Sequence, residues 1–283
     1  MRGNCEKPVA RSGLTPFLKW AGGKRWLVAN HSDIFPERYR VYAEPFLGSA
    51  AVFFHLRPEK ALLSDLNPEL INAYRVVRDK RLKLEAALGE HARAHSSRHY
   101  YSVRVAEPKD HVERAARFLY LNRTCWNGLY RVNRKGEFNV PIGTKQKVQL
   151  ATDDFEALAK QLKRASIGVA DFEETIDKTR EGDLLFVDPP YTVKHNLNGF
   201  VKYNDKIFSW DDQVRLRNAL TRAHARRVQI VMTNANHKSV RDIYCGFKQY
   251  SLSRQSVLAG SPSARGETEE LLVTNFDLAK SKC

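Results

Sequence analysis

The 283-residue chain has no uninterrupted apolar run near the ~18 residues of a membrane-spanning helix. Its first residues, MRGNCEKPVARSG, hold no apolar stretch for a signal peptide, so a cytoplasmic location is expected. Cysteine is sparse: Cys5, Cys125, Cys245 and Cys283 lie far apart, with no C-x-x-C pair and no Cys/His cluster at zinc-ligand spacing. Reduced, non-catalytic thiols and no metal are expected. Neither G-x-G-x-x-G nor a Walker lysine followed by Ser or Thr occurs, which disfavours dinucleotides and nucleoside triphosphates as ligands. No internal repeat or low-complexity block is present, so the organisation has to come from alternating strand-like and helix-like segments.

What is abundant is positive charge. Forty-seven Lys and Arg against 32 Asp and Glu leave +15, an excess that points to a polyanionic partner. Residues 91–147 hold 12 Lys/Arg and 4 Asp/Glu, so this stretch alone contributes +8. A solvated basic surface is the plain alternative. With 42% hydrophobic and 28% charged residues the chain is globular, and its length fits one large core with a smaller inserted lobe.

Strand-like and helix-like segments alternate. Arg40 to Glu44 reads as a strand running into the turn PFLGSA and the helical AAVFFHL. Ala61 to Leu63 is a second strand ending at Ser64-Asp65, after which Asn67-Pro68 opens a helix with Leu70, Ile71, Tyr74 and Val77 on its apolar side. SIGVADF, DLLFVDPPY and RRVQIVMTN are further strands, and Ser209 to Arg226 is an amphipathic helix behind a capping-box-like Ser209-Trp210-Asp211-Asp212. Lys248 to Arg254 and Glu269 to Asn275 form a pair joined by LAGSPSARGE. The pattern predicts a mostly parallel α/β sheet closed by an antiparallel pair. Residues 80–166 interrupt the rhythm, are helix-rich, and end in the hairpin-like LYRVNRKGEFNVPIG. They are the expected inserted lobe, with 16–79 and 167–283 forming the main domain and 1–15 a disordered basic extension.

The most specific short signal is Asp188-Pro189-Pro190-Tyr191, directly after the apolar LLFV. Two prolines remove two donors and stiffen the loop, which fixes a carboxylate, a free carbonyl and an aromatic ring at one strand end. Such a set suits an exocyclic amine: Asp188 and the Pro189 carbonyl accept its hydrogens while the Tyr191 ring stacks on the base. A rigid turn after a buried strand is the plain alternative. A second group, Phe17-Leu18-Lys19-Trp20-Ala21-Gly22-Gly23-Lys24 with Glu44-Pro45-Phe46-Leu47-Gly48-Ser49, offers glycines where backbone can approach a ligand, and Asp65 stands where α/β nucleoside sites place a ribose-binding carboxylate. Asp65 could equally cap the helix that follows.

The strings FLKWAGGK, EPFLGSA, SDLN, FLYLNRTCWNGLYRVNRKGEFNVPIG and FVDPPY, in that order, resemble the Dam-type site-specific DNA adenine-N6 methyltransferases, class alpha amino-methyltransferases. The resemblance spans roughly residues 16–275. It implies a Rossmann-like methyltransferase sheet with an inserted, mainly helical DNA-recognition lobe carrying a β-hairpin. It implies S-adenosyl-methionine as cofactor, enclosed by Trp20, Lys24, Glu44, Pro45, Phe46 and Gly48, with Asp65 on its ribose, Asp171 and Phe172 beside its adenine, and Asp188 nearby. Asp188, Pro189, Pro190 and Tyr191 would hold a target adenine flipped from double-stranded DNA. Arg123, Trp126, Asn127, Leu129, Arg131, Asn133 and Lys145 would contact DNA, with Arg131 reading a guanine of GATC and Trp126 wedging into the duplex. A buried lobe tryptophan is the alternative for Trp126. Thr124-Cys125-Trp126 and the loop Thr192 to Val201 depart from the family's pattern. A monomer at the nucleoid is expected, whether in a restriction-modification, phage or housekeeping setting. An amine methyltransferase acting on RNA or cytosine N4, or a non-catalytic DNA-binding relative, is the rival reading.

Overall fold

The computed structural model describes residues 13–128, 130–133, 136–193, 208–255 and 267–278. Along the chain run α1 (Arg25–Asn30), β1 (Tyr42–Glu44), α2 (Ala51–Leu56), β2 (Ala61–Asp65), α3 (Pro68–Ala94), α4 (Ser97–Val105) and α5 (His111–Thr124). There follow α6 (Phe155–Leu162), β3 (Ala165–Val169), α7 (Phe172–Asp177), β4 (Leu184–Val187), α8 (Trp210–Ala225), β5 (Gln229–Ala235), α9 (Lys238–Ile243), β6 (Lys248–Gln255) and β7 (Glu267–Thr274).

The seven strands form one sheet in the order β3-β2-β1-β4-β5-β7-β6. The first five are parallel, and β7 enters antiparallel between β5 and β6. This is the α/β sheet with an antiparallel closing pair that the sequence predicts. Side chains of a strand point alternately to opposite faces, and two apolar clusters follow that alternation. Leu184, Phe186, Val231 and Leu272 join one; Leu185, Val187, Ile230, Met232 and Val273 join the other. Both faces are therefore covered, which is why β4 reads as the unbroken apolar run LLFV. Each large apolar side chain buried there contributes about 1.5–3 kcal/mol.

Local signals set the helix starts. Asn67 accepts from the backbone N–H of Glu69 and Leu70, and Pro68 occupies the first turn, so α3 begins where β2 has just ended. Ser209 and Asp212 form the reciprocal capping box of α8.

Two expectations change. Leu14 donates its N–H to the Phe54 carbonyl and packs on the core, so the fold reaches back past the expected boundary at residue 15. The segment 80–166 does begin at a break, since Lys80 is non-helical inside α3. Yet its buried Leu84, Leu88, Tyr100, Phe118 and Tyr120 belong to the same cluster as Tyr42 and Leu63 of the sheet, one core shared between sheet and helices. Among the described residues the expected hairpin shows two isolated antiparallel bridges, Cys125 to Ile142 and Val132 to Phe138, with Asn133 and Glu137 bonded to each other.

Candidate active site

β1 and β4 are neighbours at the point where the strand order reverses, β2 lying to one side and β5 to the other. Loops leaving the carboxyl ends of such a pair diverge and open a crevice. From β4 leaves Asp188-Pro189-Pro190-Tyr191, and from β1 the turn that begins at Pro45. Both sequence-predicted constellations thus converge on one place.

Lys24 joins them. Its ammonium lies 2.9 Å from Asp188 Oδ1 and 3.6 Å from Glu270 Oε2, donates to the Gly22 carbonyl at 2.8 Å, and sits 5.1 Å from the centre of the Tyr191 ring. The side chain is only 3% exposed, a burial that a lysine tolerates when paired. Thr233 Oγ donates to Asp188 Oδ1 at 2.8 Å, and the Tyr191 hydroxyl donates to Glu270 Oε2 at 2.6 Å. Burial pushes the Asp188 carboxyl above the usual carboxylate range, against the opposing pull of the Lys24 ammonium and the Thr233 hydroxyl. The Tyr191 phenol is driven well above its ordinary value by burial and then by the Asp188 and Glu270 carboxylates. It stays protonated and able to donate.

On the β1 side, Gly48 has φ +46 and a Cβ there would meet Trp20 Cδ1 at 2.8 Å, so only glycine lets the indole lie against this turn. Asp65 accepts from the N–H of Gly48 at 3.2 Å and of Asn67 at 3.0 Å. The helix cap is Asn67, which frees Asp65 from the role of cap and ties it to the glycine turn instead. Burial raises the Asp65 carboxyl, partly offset by these amides. Phe46 and Phe172 stack at 5.4 Å with 20° between ring planes, and Arg215 lies 4.8 Å over Phe172. Asp171 caps α7 through the Glu173 N–H and pairs with Arg215 at 3.0 Å. Pro45 is buried, and Glu44 lies beneath the turn, its carboxyl accepting the Tyr42 hydroxyl at 2.8 Å and raised well above the usual range by burial.

The residues expected to contact DNA divide. Trp126 is 52% exposed, which removes the core-tryptophan alternative. Asn127 beside it is exposed in a left-handed conformation. Arg131 is exposed, its Nε reaching the Asn139 side chain at 3.3 Å, and Lys145 is exposed as well. Asn133 instead holds the turn through Glu137, and Leu129 lies outside the described residues, as does the loop after Val193. Arg123 is corrected outright: it is 3% exposed, with its guanidinium bidentate on Asp153 at 2.7 Å and bonded to the Phe17 and Val148 carbonyls. It is a tie between α5 and the N-terminal segment, with no donor facing outward to DNA.

Four residues escaped sequence reasoning. Glu270 and Thr233 complete the Asp188 cluster. Asn122 clamps Lys19 by both backbone groups, at 3.0 and 2.7 Å. The Lys19 ammonium is held down to about 8 by burial and by the neighbouring Lys145 ammonium, which leaves two cations side by side, with the Lys19 side chain against Gly128. Trp20 stacks on Tyr130 at 5.9 Å, linking the same segment to the turn that carries Arg131.

The family model for D12 class N6 adenine-specific DNA methyltransferases matches residues 20–258. The chain is 35% identical over 272 residues to the type II methyltransferase M1.LlaDCHI of Lactococcus lactis subsp. cremoris, covering 93% of this chain and 96% of that protein. It is 32% identical to a DNA adenine methylase of Haemophilus influenzae, over 91% of this chain and 92% of the relative. A DNA adenine methylase of Vibrio cholerae is 31% identical, over 90% and 94%. A matched family model over most of the chain, full-length relatives, and a strand-end Asp-Pro-Pro-Tyr facing a buried lysine agree, and the chain belongs to the D12 class N6 adenine-specific DNA methyltransferase family as an adenine DNA methyltransferase.

Proposed function

We propose that this methyltransferase moves the methyl group of S-adenosyl-methionine to N6 of an adenine flipped out of double-stranded DNA, within GATC. The observation that carries the reading is the Lys24-Asp188-Tyr191-Glu270 cluster at the carboxyl end of β4, beside the glycine turn held by Asp65. The residues fit such a cofactor. Gly22 at φ +76 faces open space, the stacked Phe46 and Phe172 offer an apolar surface for a purine, and Asp65 offers a carboxylate for ribose hydroxyls. Asp188 and Glu270 place two carboxyl groups in the cluster, the kind of group that attracts a sulfonium. When bound, the cofactor supplies a methyl group activated by that positive sulfur.

The chain's own groups do the rest. Asp188 and the Pro189 carbonyl accept the two amine hydrogens, which localises the nitrogen lone pair, and the Tyr191 ring stacks on the base. These contacts offset the few kcal/mol that unstacking the base costs. Holding the amine in line supplies much of the rate by removing the entropy of encounter. No strong base is needed beforehand, because the nitrogen sheds its proton after it has become cationic. Rivals acting on RNA or cytosine N4 lose ground to the family's adenine specificity, and a non-catalytic relative to the paired Lys24 and Asp188. Expression in a methylation-free host, with base-modification readout of its DNA, tests the reading: N6-methyladenine at GATC is expected, and methylated cytosine or unmodified DNA overturns it.

Asp65→Ala should weaken S-adenosyl-methionine binding by about 1 to 3 kcal/mol, the loss of a charged hydrogen-bond partner. Calorimetry showing unchanged affinity returns Asp65 to supporting the turn alone. Arg131→Ala should cost about 1 to 3 kcal/mol of discrimination at one base pair, as expected of a bidentate arginine on guanine O6 and N7. Lys145→Ala should instead weaken all duplexes alike and make the salt dependence shallower by about one unit. Comparing the two variants on GATC and on duplexes changed at one base separates them. Equal loss on every duplex for Arg131→Ala makes that residue a phosphate anchor.

A further inference from the structure

Glu270 lies 79 residues from Tyr191 in sequence, yet its Oε2 takes the Tyr191 hydroxyl at 2.6 Å and faces the Lys24 ammonium at 3.6 Å. Topology brings it there. The parallel strands point their carboxyl ends at the crevice, and β7 runs against them, so the beginning of β7 lies at the same end. Glu270 pairs in register with Ala235, the last residue of β5, while Glu269 alternates to the exposed side. A glutamate 3% exposed in the middle of EELLVT is costly unless its carboxylate is used. Its carboxylate meets the Tyr191 phenol and the Lys24 ammonium, among others.

A tyrosine ring at a loop end turns easily about its side-chain torsions, and a base can stack only on a ring held in one plane. Anchoring the hydroxyl at the far end of the ring removes that freedom. Resting on the functional reading above, we propose that Glu270 is a positioning residue for the methylation reaction: by accepting the Tyr191 hydroxyl it holds the ring on which the flipped base stacks. It touches no reacting atom and acts through Tyr191.

The test uses the full-length protein and duplexes carrying the target adenine or 2-aminopurine in its place. Glu270→Ala is expected to lower kcat at least tenfold, with dissociation constants for duplex and for S-adenosyl-methionine within threefold of wild type. The fluorescence change of bound 2-aminopurine should alter in parallel, which a merely structural role would not produce. Glu270→Gln keeps an acceptor of the same reach and should retain kcat within about threefold. Tyr191→Phe deletes the donor while keeping the ring and should match the alanine variant, and the double variant should be no worse than the poorer single one, since both remove one interaction. Losses that multiply, or a Glu270→Ala or Tyr191→Phe enzyme within twofold of wild type, overturn the proposal. If Glu270→Ala does not fold, the Gln and Phe variants decide it alone. A wild-type protein that methylates no duplex overturns the functional reading; an active wild type with an equally active Glu270→Ala overturns the positioning role only.

Discussion

Asp188→Ala should abolish methyl transfer to DNA while leaving the fold and most DNA affinity intact. The carboxylate stands at the end of a strand, outside the two apolar clusters, so its removal takes no side chain out of the core, and the buried Lys24 ammonium keeps Glu270 at 3.6 Å as a countercharge, which limits the cost of losing its nearer partner. DNA affinity arises chiefly from phosphate contacts, for which exposed cations such as Lys145 are placed elsewhere. The loss is therefore expected in kcat: the amine loses the acceptor that localises its lone pair. Single-turnover methylation with tritiated cofactor measures it directly, and activity within about tenfold of wild type sinks the assignment.

Lys24→Met should be nearly as damaging, for another reason. It leaves Asp188 and Glu270 near each other without their shared cation, and removing one partner of a buried pair costs about 3–5 kcal/mol. Burial already holds the Asp188 carboxyl high, and Lys24 is the largest influence pulling it down, so the variant's carboxyl rises further. The acidic limb of the rate profile should then move to higher pH, because a protonated Asp188 has lost part of its accepting capacity. Stability follows with a definite sign. A carboxyl raised in the fold above its unfolded value of about 3.9 favours the protonated native state, so stability falls as pH climbs from there through the folded value. In urea unfolding the variant should lose more stability than wild type as pH rises from about 3.9 upward through its further raised folded value. An unshifted acidic limb would show that Lys24 is not the countercharge of Asp188.

Much of this was legible because the signals were local. The strands at Ala61, Leu184 and Gln229 and the helix starts at Asn67 and Ser209 depend on neighbouring residues, and the structure places them within a few positions of the reading. Asp188 and Tyr191 stood out because Pro-Pro after an apolar strand is rare punctuation. Glu270 and Thr233 did not, because their roles arise from pairing between β5 and β7 across an antiparallel crossover that no short-range pattern encodes. The charge count pointed to the kind of partner but not to the residues that face it. Of the basic residues in 91–147, Arg114 pairs with Glu69, Arg117 bonds the Val103 and Arg104 carbonyls, and Arg123 is buried on Asp153. Sequence counts charge; only packing shows which charges face outward. Helices that share a core with the sheet likewise look separate in one dimension, although the break at Lys80 falls where the sequence rhythm changes.

The segment from Phe17 to Lys24 is held at one end by Asn122 and Arg123 of α5, stacks through Trp20 on Tyr130, and ends in the lysine that grips Asp188. Anyone swapping target specificity between such enzymes by grafting residues 80–166 would cut through this strand of contacts. A chimera that keeps the host's own residues 13–24 joins a foreign turn to a mismatched latch. Functional grafts should therefore be two-piece, with the short N-terminal stretch travelling together with the helices that fasten it.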